Sequence, residues 1–303
     1  MRLCHWMVYI GIVFMLTGSA FPNPVQDVTH TISFAESLFS EHDYYRAITE
    51  YKRAIHQTDD VETKAHAQYM IALSYFRGGQ WDAAIMAFEK LLSLDIPDSL
   101  ASLAYLMKGE TAFQKKDYFA AIDYFHHFST ENPEHPLALD AGIRMTQSYT
   151  LIQNQNFAKQ YAISLQNQFP QEERANKLSE YVRAFNSTRQ KSPRLAGTLS
   201  TILPGAGQLY TGRRKDASLS FFLNSSLIAA ALVAFNNDEP VAGSLISIVG
   251  LSWYTGNIYG AVNAAHKHNR DQRTRFVQNL NFSLGVMTDA DNRLPSGSIT
   301  ISF

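Results

Sequence analysis

A polar residue followed by an aromatic one recurs at Asp43-Tyr44, Gln80-Trp81, Asp117-Tyr118 and Asn156-Phe157, at spacings of 37, 37 and 39 residues. A recurrence at this distance is the mark of one supersecondary unit stacked several times, which restricts the fold more than any single motif could. Three positions after each of the first three aromatics stand Ala47, Ala84 and Ala121, each followed by isoleucine, and four further on stand Tyr51, Phe88 and Phe125. Offsets of three, four and seven put these residues on one helix face. Nine positions before each aromatic comes a small residue, Ala35, Ala72 or Gly109, where a preceding helix can pass close to its partner. Each unit therefore reads as a pair of helices.

The pattern resembles the tetratricopeptide repeat: a small residue at the first helix crossing, an aromatic opening the second helix, then alanine, then a bulky aromatic, with Pro133 and Pro170 near repeat ends. The resemblance covers residues 31–186, and its period is longer than the usual one of about 34 residues, as in envelope-assembly members of the family. It implies a helical solenoid whose concave face receives protein partners, with contacts made by polar positions of the first helices. It also implies that Tyr44, Ala47, Trp81, Ala84, Phe88, Tyr118, Ala121 and Phe125 form the core between helices. In the fourth unit Gln160 stands where alanine is expected and Ser164 where the aromatic is expected. That unit reads as a degenerate terminal repeat, closed by an amphipathic helix carrying Leu178, Tyr181, Val182 and Phe185.

Residues 1–20 carry Arg2, an apolar stretch from Trp6 to Leu16, then Gly18, Ser19 and Ala20, the order of a secretory signal peptide cleaved after Ala20. The single cysteine, Cys4, precedes the apolar stretch, so a chain cleaved there has no thiol for disulfides, zinc sites or nucleophilic catalysis. With 26 basic and 27 acidic residues, the charge balance gives no electrostatic case for nucleic acid.

Past a polar linker at 187–194 the composition changes. Three charge-free runs follow, Leu195 to Gly212, Ala217 to Asn237 and Pro240 to Ala265, separated by short charged clusters. The last two are long enough to cross a bilayer as helices, so residues 195–265 read as a transmembrane helical module. Ser252, Gly256, Gly260 and Ala264 recur every four residues and leave one helix side nearly bare, where another helix is expected to approach; Asn224, Asn257 and Asn263 are expected to face protein rather than lipid. Pro204, Gly205, Gly207, Gln208, Tyr210 and Gly212 fill every position of a Pro-Gly-x-Gly-Gln-x-Tyr-x-Gly signature that resembles small bacterial membrane modules of unassigned role.

Export of the repeats combined with the positive-inside rule predicts three crossings, with Arg213 to Lys215 and Lys267 to Arg275 in the cytoplasm. A re-entrant first run with two full helices would instead leave both basic clusters outside. Residues 266–303 read as a charged helix end and a β-hairpin, with Phe282, Leu284 and Val286 on one strand face and Ile299, Ile301 and Phe303 on the other.

No nucleophile elbow, zincin or phosphate-loop motif occurs. His126 and His127 point to different helix faces, as do His266 and His268, and Asp289 and Asp291 lack the glycine and glutamate of a calcium loop. The sequence therefore predicts a mainly α, non-catalytic protein without cofactor or metal: a tetratricopeptide-like scaffold in the bacterial inner membrane with its repeats in the periplasm, recruiting envelope proteins or assisting membrane-protein assembly, and able to form homo-oligomers. The competing function is transport or lipid handling by the membrane module, with the repeats as a regulatory arm.

Overall fold

The computed structural model describes residues 24–284. The chain forms two compact units, which within the described residues are 24–144 and 145–284. The first holds α1 (Pro24–Ser40), α2 (Tyr44–Gln57), α3 (Val61–Arg77), α4 (Trp81–Leu92), α5 (Asp98–Lys115) and α6 (Tyr118–Glu131), joined as consecutive helix pairs. The helix α7 (Ala138–Leu151) continues from the first unit into the second.

Two or three residues separate the helices of a pair, and the same backbone event occurs in each gap. His42, Gly79 and Lys116 take φ of 65°, 70° and 69°, and Gln153 repeats this after α7 with φ 67°. The next residue donates its amide five positions back, Asp43 to Leu38, Gln80 to Tyr75, Asp117 to Ala112 and Asn154 to Tyr149, each at 2.9 Å. This left-handed ending satisfies the last carbonyls of the first helix. Asp43, Asp117 and Asn154 then accept from the amides of Arg46, Ala120 and Phe157, so one residue both ends a helix and caps the next.

Below each turn lies the core. Ala47, Ala84, Ala121, Tyr51, Phe88 and Phe125 are all at most 1 % exposed. Gly109 is required where α5 crosses α6, because a Cβ there would lie 2.7 Å from the Phe125 ring. The opening aromatics differ from the expectation. Tyr44, Trp81 and Tyr118 are half-buried, each packed edge-on against an aromatic five residues earlier, Phe39, Phe76 or Phe113, at centroid distances of 5.4, 5.6 and 5.6 Å. They seal the turn rather than fill the centre.

The fourth unit is less degenerate than its sequence suggests. The helix α8 (Gln155–Gln168) starts after Asn154, not after Asn156. Counted from that cap, the period is 37 again, and the core positions are Ala158 and Ala162, 1 % and 0 % exposed, not Gln160 and Ser164. The aromatic at 157 misleads because it stands two residues inside the helix, stacked on Tyr149 at 5.7 Å.

In the second unit, α9 (Glu173–Ser187) follows α8, then α10 (Pro193–Ile202), α11 (Ala206–Tyr210), α12 (Arg214–Asn236) and α13 (Pro240–Leu284). Three expectations change here. The first charge-free run is broken at 203–205 into ten- and five-residue helices; ten residues rise about 15 Å, half of what a bilayer core requires. The third run is not a closed helix ending at Ala265, because α13 continues for 45 residues. No glycine or proline interrupts 261–284, and Ala265, Asn269, Arg273, Val277, Leu280 and Leu284 form a buried stripe at helical spacing. Consequently Phe282 and Leu284 end a helix instead of opening a strand. No strand occurs among the described residues; Val286 and the second hairpin segment at 299–303 lie outside them.

Two stability predictions come from this construction, both measurable by urea unfolding of a fragment spanning residues 24–151. Phe88→Ala should cost about 3 to 5 kcal/mol as a core cavity, and Trp81→Ala about 2 kcal/mol, because only part of its surface leaves water. Equal losses would show that Trp81 is core. At the turns, Gly79→Ala should destabilise and Lys116→Gly stabilise, each by about 1 kcal/mol, since a Cβ at Gly79 meets nothing nearer than Trp81 at 3.8 Å and only the positive φ is at stake. Changes of the same sign would contradict that account.

Candidate functional site

In residues 24–144 the polar side chains of the first helices are largely consumed inside the unit. Gln68 donates to the Ala87 carbonyl at 3.0 Å, and Ser74 and Thr111 turn back onto the carbonyls of Met70 and Met107. The Lys108 ammonium, 7 % exposed, reaches Glu89 at 3.2 Å and lies over the Tyr124 ring at 4.4 Å. Arg144 and Glu110, 4 % and 7 % exposed, pair through two contacts of 2.8 Å, with the guanidinium also over the Phe113 ring at 4.7 Å. The Arg144–Glu110 pair is buried at both ends, so removing either partner alone would leave an uncompensated charge. Burial pushes the Tyr51 and Tyr69 hydroxyls above the ordinary tyrosine range, which keeps both neutral. His127 stacks on Tyr105 at 3.8 Å. Among the described residues no three His, Cys, Asp or Glu side chains gather as a metal site.

The most exposed large apolar side chains of this unit lie on the second helices, Tyr45 at 79 %, Met86 at 69 % and Phe119 at 70 % exposure. Tyr45 and Phe119 each stand one residue past a turn aromatic. Of the polar first-helix positions, Gln68, Ser74, Lys108 and Glu110 are buried, whereas Ser33, Glu36 and Ser37 on α1 and Glu62 and His66 on α3 remain exposed.

In the second unit the glycine-rich segment is a packing device. Gly205 has φ 88°, and a Cβ on it would collide with the Ala217 carbonyl; a Cβ on Gly207 would collide with the Ala196 carbonyl and lie 2.7 Å from Ala261. Pro204 stands in the break between α10 and α11, where no helical amide is needed. With α11 pressed this close, the Gln208 amide, 4 % exposed, ties three helices together. It accepts from Ser200 at 3.0 Å and donates to Asn257 at both the backbone carbonyl, 3.0 Å, and Oδ1, 2.7 Å. The Tyr210 hydroxyl accepts from the Ser192 amide at 3.1 Å, and Lys191 lies over its ring at 4.5 Å. Gly212, φ 85°, makes the turn into α12. Every signature position thus has a structural use, and none presents a reactive group.

The small-residue face of α13 is covered differently from the expectation. The packing core against α10 is Ala196, Ala261 and Ala265, with Gly197 placed 3.0 Å from Val262 by its would-be Cβ. Gly260 meets Gln208 at 3.7 Å, whereas a Cβ on Gly256 would meet nothing within 4 Å. Asn224 and Asn257 are 1 % and 7 % exposed, but Asn263 is exposed, because it lies on the side of α13 opposite Ala261 and Ala265.

Farther along, α13 is bound to the linker before α10 and to α7 and α9 of the same unit. Asn269 exchanges two hydrogen bonds with the Lys191 backbone at 2.9 and 2.8 Å, and Phe276 stacks on Phe185 at 4.2 Å. Gln147 donates to Asn281 at 2.9 Å and Arg174 to the Leu284 carbonyl at 2.8 Å.

The helix pairs and their 37-residue period have a counterpart among known families. Residues 66–95 match the tetratricopeptide repeat family model. The matched stretch holds Ala72, Phe76, the left-handed Gly79, Trp81, Ala84 and Phe88, so it spans one complete turn with the core beneath it. Together with the helical architecture it supports a tetratricopeptide-repeat protein. No curated protein matches the chain. Tetratricopeptide repeats generally mediate protein partner binding and are typically non-catalytic.

Beside these repeats stands one described helix, α12, that is long and apolar enough to cross a membrane, with 17 % of its most apolar window buried. Leu219, Phe222, Leu232 and Val233 on α12, and Val241, Leu245, Ile248 and Leu251 on α13, are each more than half exposed.

Gly207→Ala should therefore separate α11 from α10 and α13 and release the Gln208 bridge. The purified chain should lose its thermal transition or shift it down by more than about 5 °C, whereas Gly212→Ala, with no atom near its would-be Cβ, should shift it by about half as much or less. An unshifted transition in Gly207→Ala would contradict the close packing.

Proposed function

We propose that the chain is a membrane-anchored tetratricopeptide scaffold that holds envelope proteins, or proteins under assembly, beside the bacterial inner membrane. The observation that carries this reading is α13 itself. Its first half exposes large apolar side chains together with α12, and its second half is locked to α7 and α9 of the repeat region. A contiguous exposed apolar surface of this size on a helical hairpin marks a lipid or protein contact. The 23-residue α12 rises about 35 Å, enough for a bilayer core of about 30 Å.

If the hairpin α12–α13 spans the membrane, both of its ends emerge on the side of the repeats, since residues 269–284 of α13 lie against them. Two crossings follow, with α10 and α11 at the interface, and this favours the re-entrant arrangement over three crossings. The positive-inside rule then opposes the secretory signal, because Arg213 to Lys215 and Lys267 to Arg275 flank the hairpin on the repeat side. Translocation of a whole domain overrides loop charge, so the export segment sets the periplasmic side in this proposal. Partners are received by the repeats, and the exposed Tyr45, Met86 and Phe119 are the first contacts to test, by photo-crosslinking residues placed there in intact cells.

Topology gives the direct check. In a Cys4→Ser background, single cysteines at Ser187, Lys215 and Asn237 should be challenged with a membrane-impermeant thiol reagent in spheroplasts. Labelling at Ser187 and Lys215, with Asn237 protected, is expected. Labelling at Ser187 and Asn237 alone would restore three crossings, and labelling at all three would remove the membrane anchor.

A further inference from the structure

The open face around Gly256 is the floor of a groove of about 640 Å³. Ser252, Gly256 and Gly260 form the floor, Gln208 and Ser220 stand among its walls, and Ile248, Val249 and Trp253 line one end while Arg213 and Asp216 line the other. The groove is graded. Its lining is charged at the base of the hairpin, amide and hydroxyl in the middle, and hydrocarbon beyond. From Gly260 to Ile248 the helix rises about 18 Å, close to the roughly 15 Å depth of one leaflet's hydrocarbon.

Two further observations concern what fills it. Asn257 lines the groove, is 7 % exposed, and its amide Nδ2 is buried with no hydrogen-bond partner among the described residues, while its Oδ1 is already taken by Gln208. A buried donor without a partner is costly, and an acceptor supplied by a ligand removes that cost. At the mouth, Asp216 holds the Arg213 Nε at 2.6 Å, and the next two residues along the chain, Arg214 and Lys215, are exposed cations without an acid paired to them among the ion pairs of the described residues. The N-terminus of the 23-residue α12 has no side-chain cap, so its first amides are left without a capping side-chain acceptor, the arrangement that favours an anion.

We propose that this groove binds one anionic phospholipid from the leaflet on the repeat side. The phosphate sits at the start of α12 beside Arg214 and Lys215, an ester carbonyl accepts from Asn257 Nδ2, and one acyl chain lies over Ser252 and Gly256 toward Val249. The inference rests on the membrane-anchored reading above. A second copy of the chain is a poorer occupant. Two-fold pairing on this face would bring the two Arg213 to Lys215 clusters to the same level, with like charges opposed. An anionic headgroup complements that cluster instead.

The test uses the full chain purified in mild detergent, with dioleoylphosphatidylglycerol and dioleoylphosphatidylcholine as probes and native mass spectrometry as readout. The wild type should retain one phosphatidylglycerol per chain and prefer it about tenfold over phosphatidylcholine, a difference of about 1.4 kcal/mol. Gly256→Phe and Ser252→Phe, which fill the groove where no chain atom has to move for a Cβ at 256, should each weaken retention about tenfold or more. Arg214→Gln with Lys215→Gln should abolish the preference while leaving both lipids weakly bound. Equal retention of the two lipids by the wild type, unchanged retention in both phenylalanine variants, or a stable dimer that those variants dissociate would overturn the proposal. Carbonate extraction of membranes separates this from failure of the anchor. A wild type that stays in the pellet yet holds no phosphatidylglycerol defeats the lipid site alone, and a wild type released to the supernatant defeats both readings.

Discussion

A helix that stops inside a packed unit leaves four carbonyls without donors, and the helix that follows starts with four amides without acceptors. This chain meets the first demand with one recurring turn, and the second as well where Asp43, Asp117 or Asn154 follows it as the cap. A residue at positive φ donates three positions back, and its successor donates five positions back. His42, Gly79, Lys116 and Gln153 do this within the repeats, Gly212 ahead of α12, and Asp238 between α12 and α13. Only two of those six are glycine, so the left-handed conformation is held elsewhere by the packing around it, at a backbone cost of about 1 kcal/mol or more per site. The repeat period, the placement of the edge-on aromatic pairs and the sharpness of the hairpin all depend on this element.

The period was legible because aromatic side chains are conspicuous, and the same property misplaced its last member. By spacing alone Phe157 reads as the fourth opening aromatic. The true start, Asn154-Gln155, carries no aromatic, and its signal is a cap followed by Ala158 and Ala162 at the right offsets. Phe39, Phe76 and Phe113, spaced by 37 and each five residues before a turn aromatic, were equally readable and would have shown that the aromatics work in pairs across the turn. Along α13 a different property hides the helix. His266 to Arg275 reads as a charged exit from the membrane, but one face of it is buried, and Asn269 and Arg273 take part in that face while their neighbours stay in water. A stripe that mixes polar residues into helical spacing is hard to see by hydrophobicity alone.

The candidate site divides in the same way. Gly205, Gly207 and Gln208 were recognisable as a signature, and the need for close backbone approach was readable from two glycines and a proline. That Gln208 would spend its amide on Ser200 and Asn257 was not, since a contact across 49 residues depends on how α11 lies against α13. Conversely, the four-residue spacing of small side chains on α13 points to a helix packing over Gly256, whereas the helix that approaches α13 does so over Ala261 and Ala265 and leaves Gly256 open.

Between residues 261 and 284, α13 contains neither glycine nor proline, the usual sites of sharp bending. Its far half is fixed at several separate places, at Lys191 through Asn269, at Phe185 through Phe276, at Gln147 through Asn281 and at Arg174 through the Leu284 carbonyl. Its near half is fixed by Ala261, Ala265 and the Gln208 bridge. A rod held at both halves has no hinge between them, so within this unit the direction of the apolar hairpin sets the direction of α9. A flexible linker would let the repeats search freely for partners. A continuous helix instead presents the last repeat at one angle to whatever surface takes up the hairpin, which suits a scaffold whose clients lie in or on that surface.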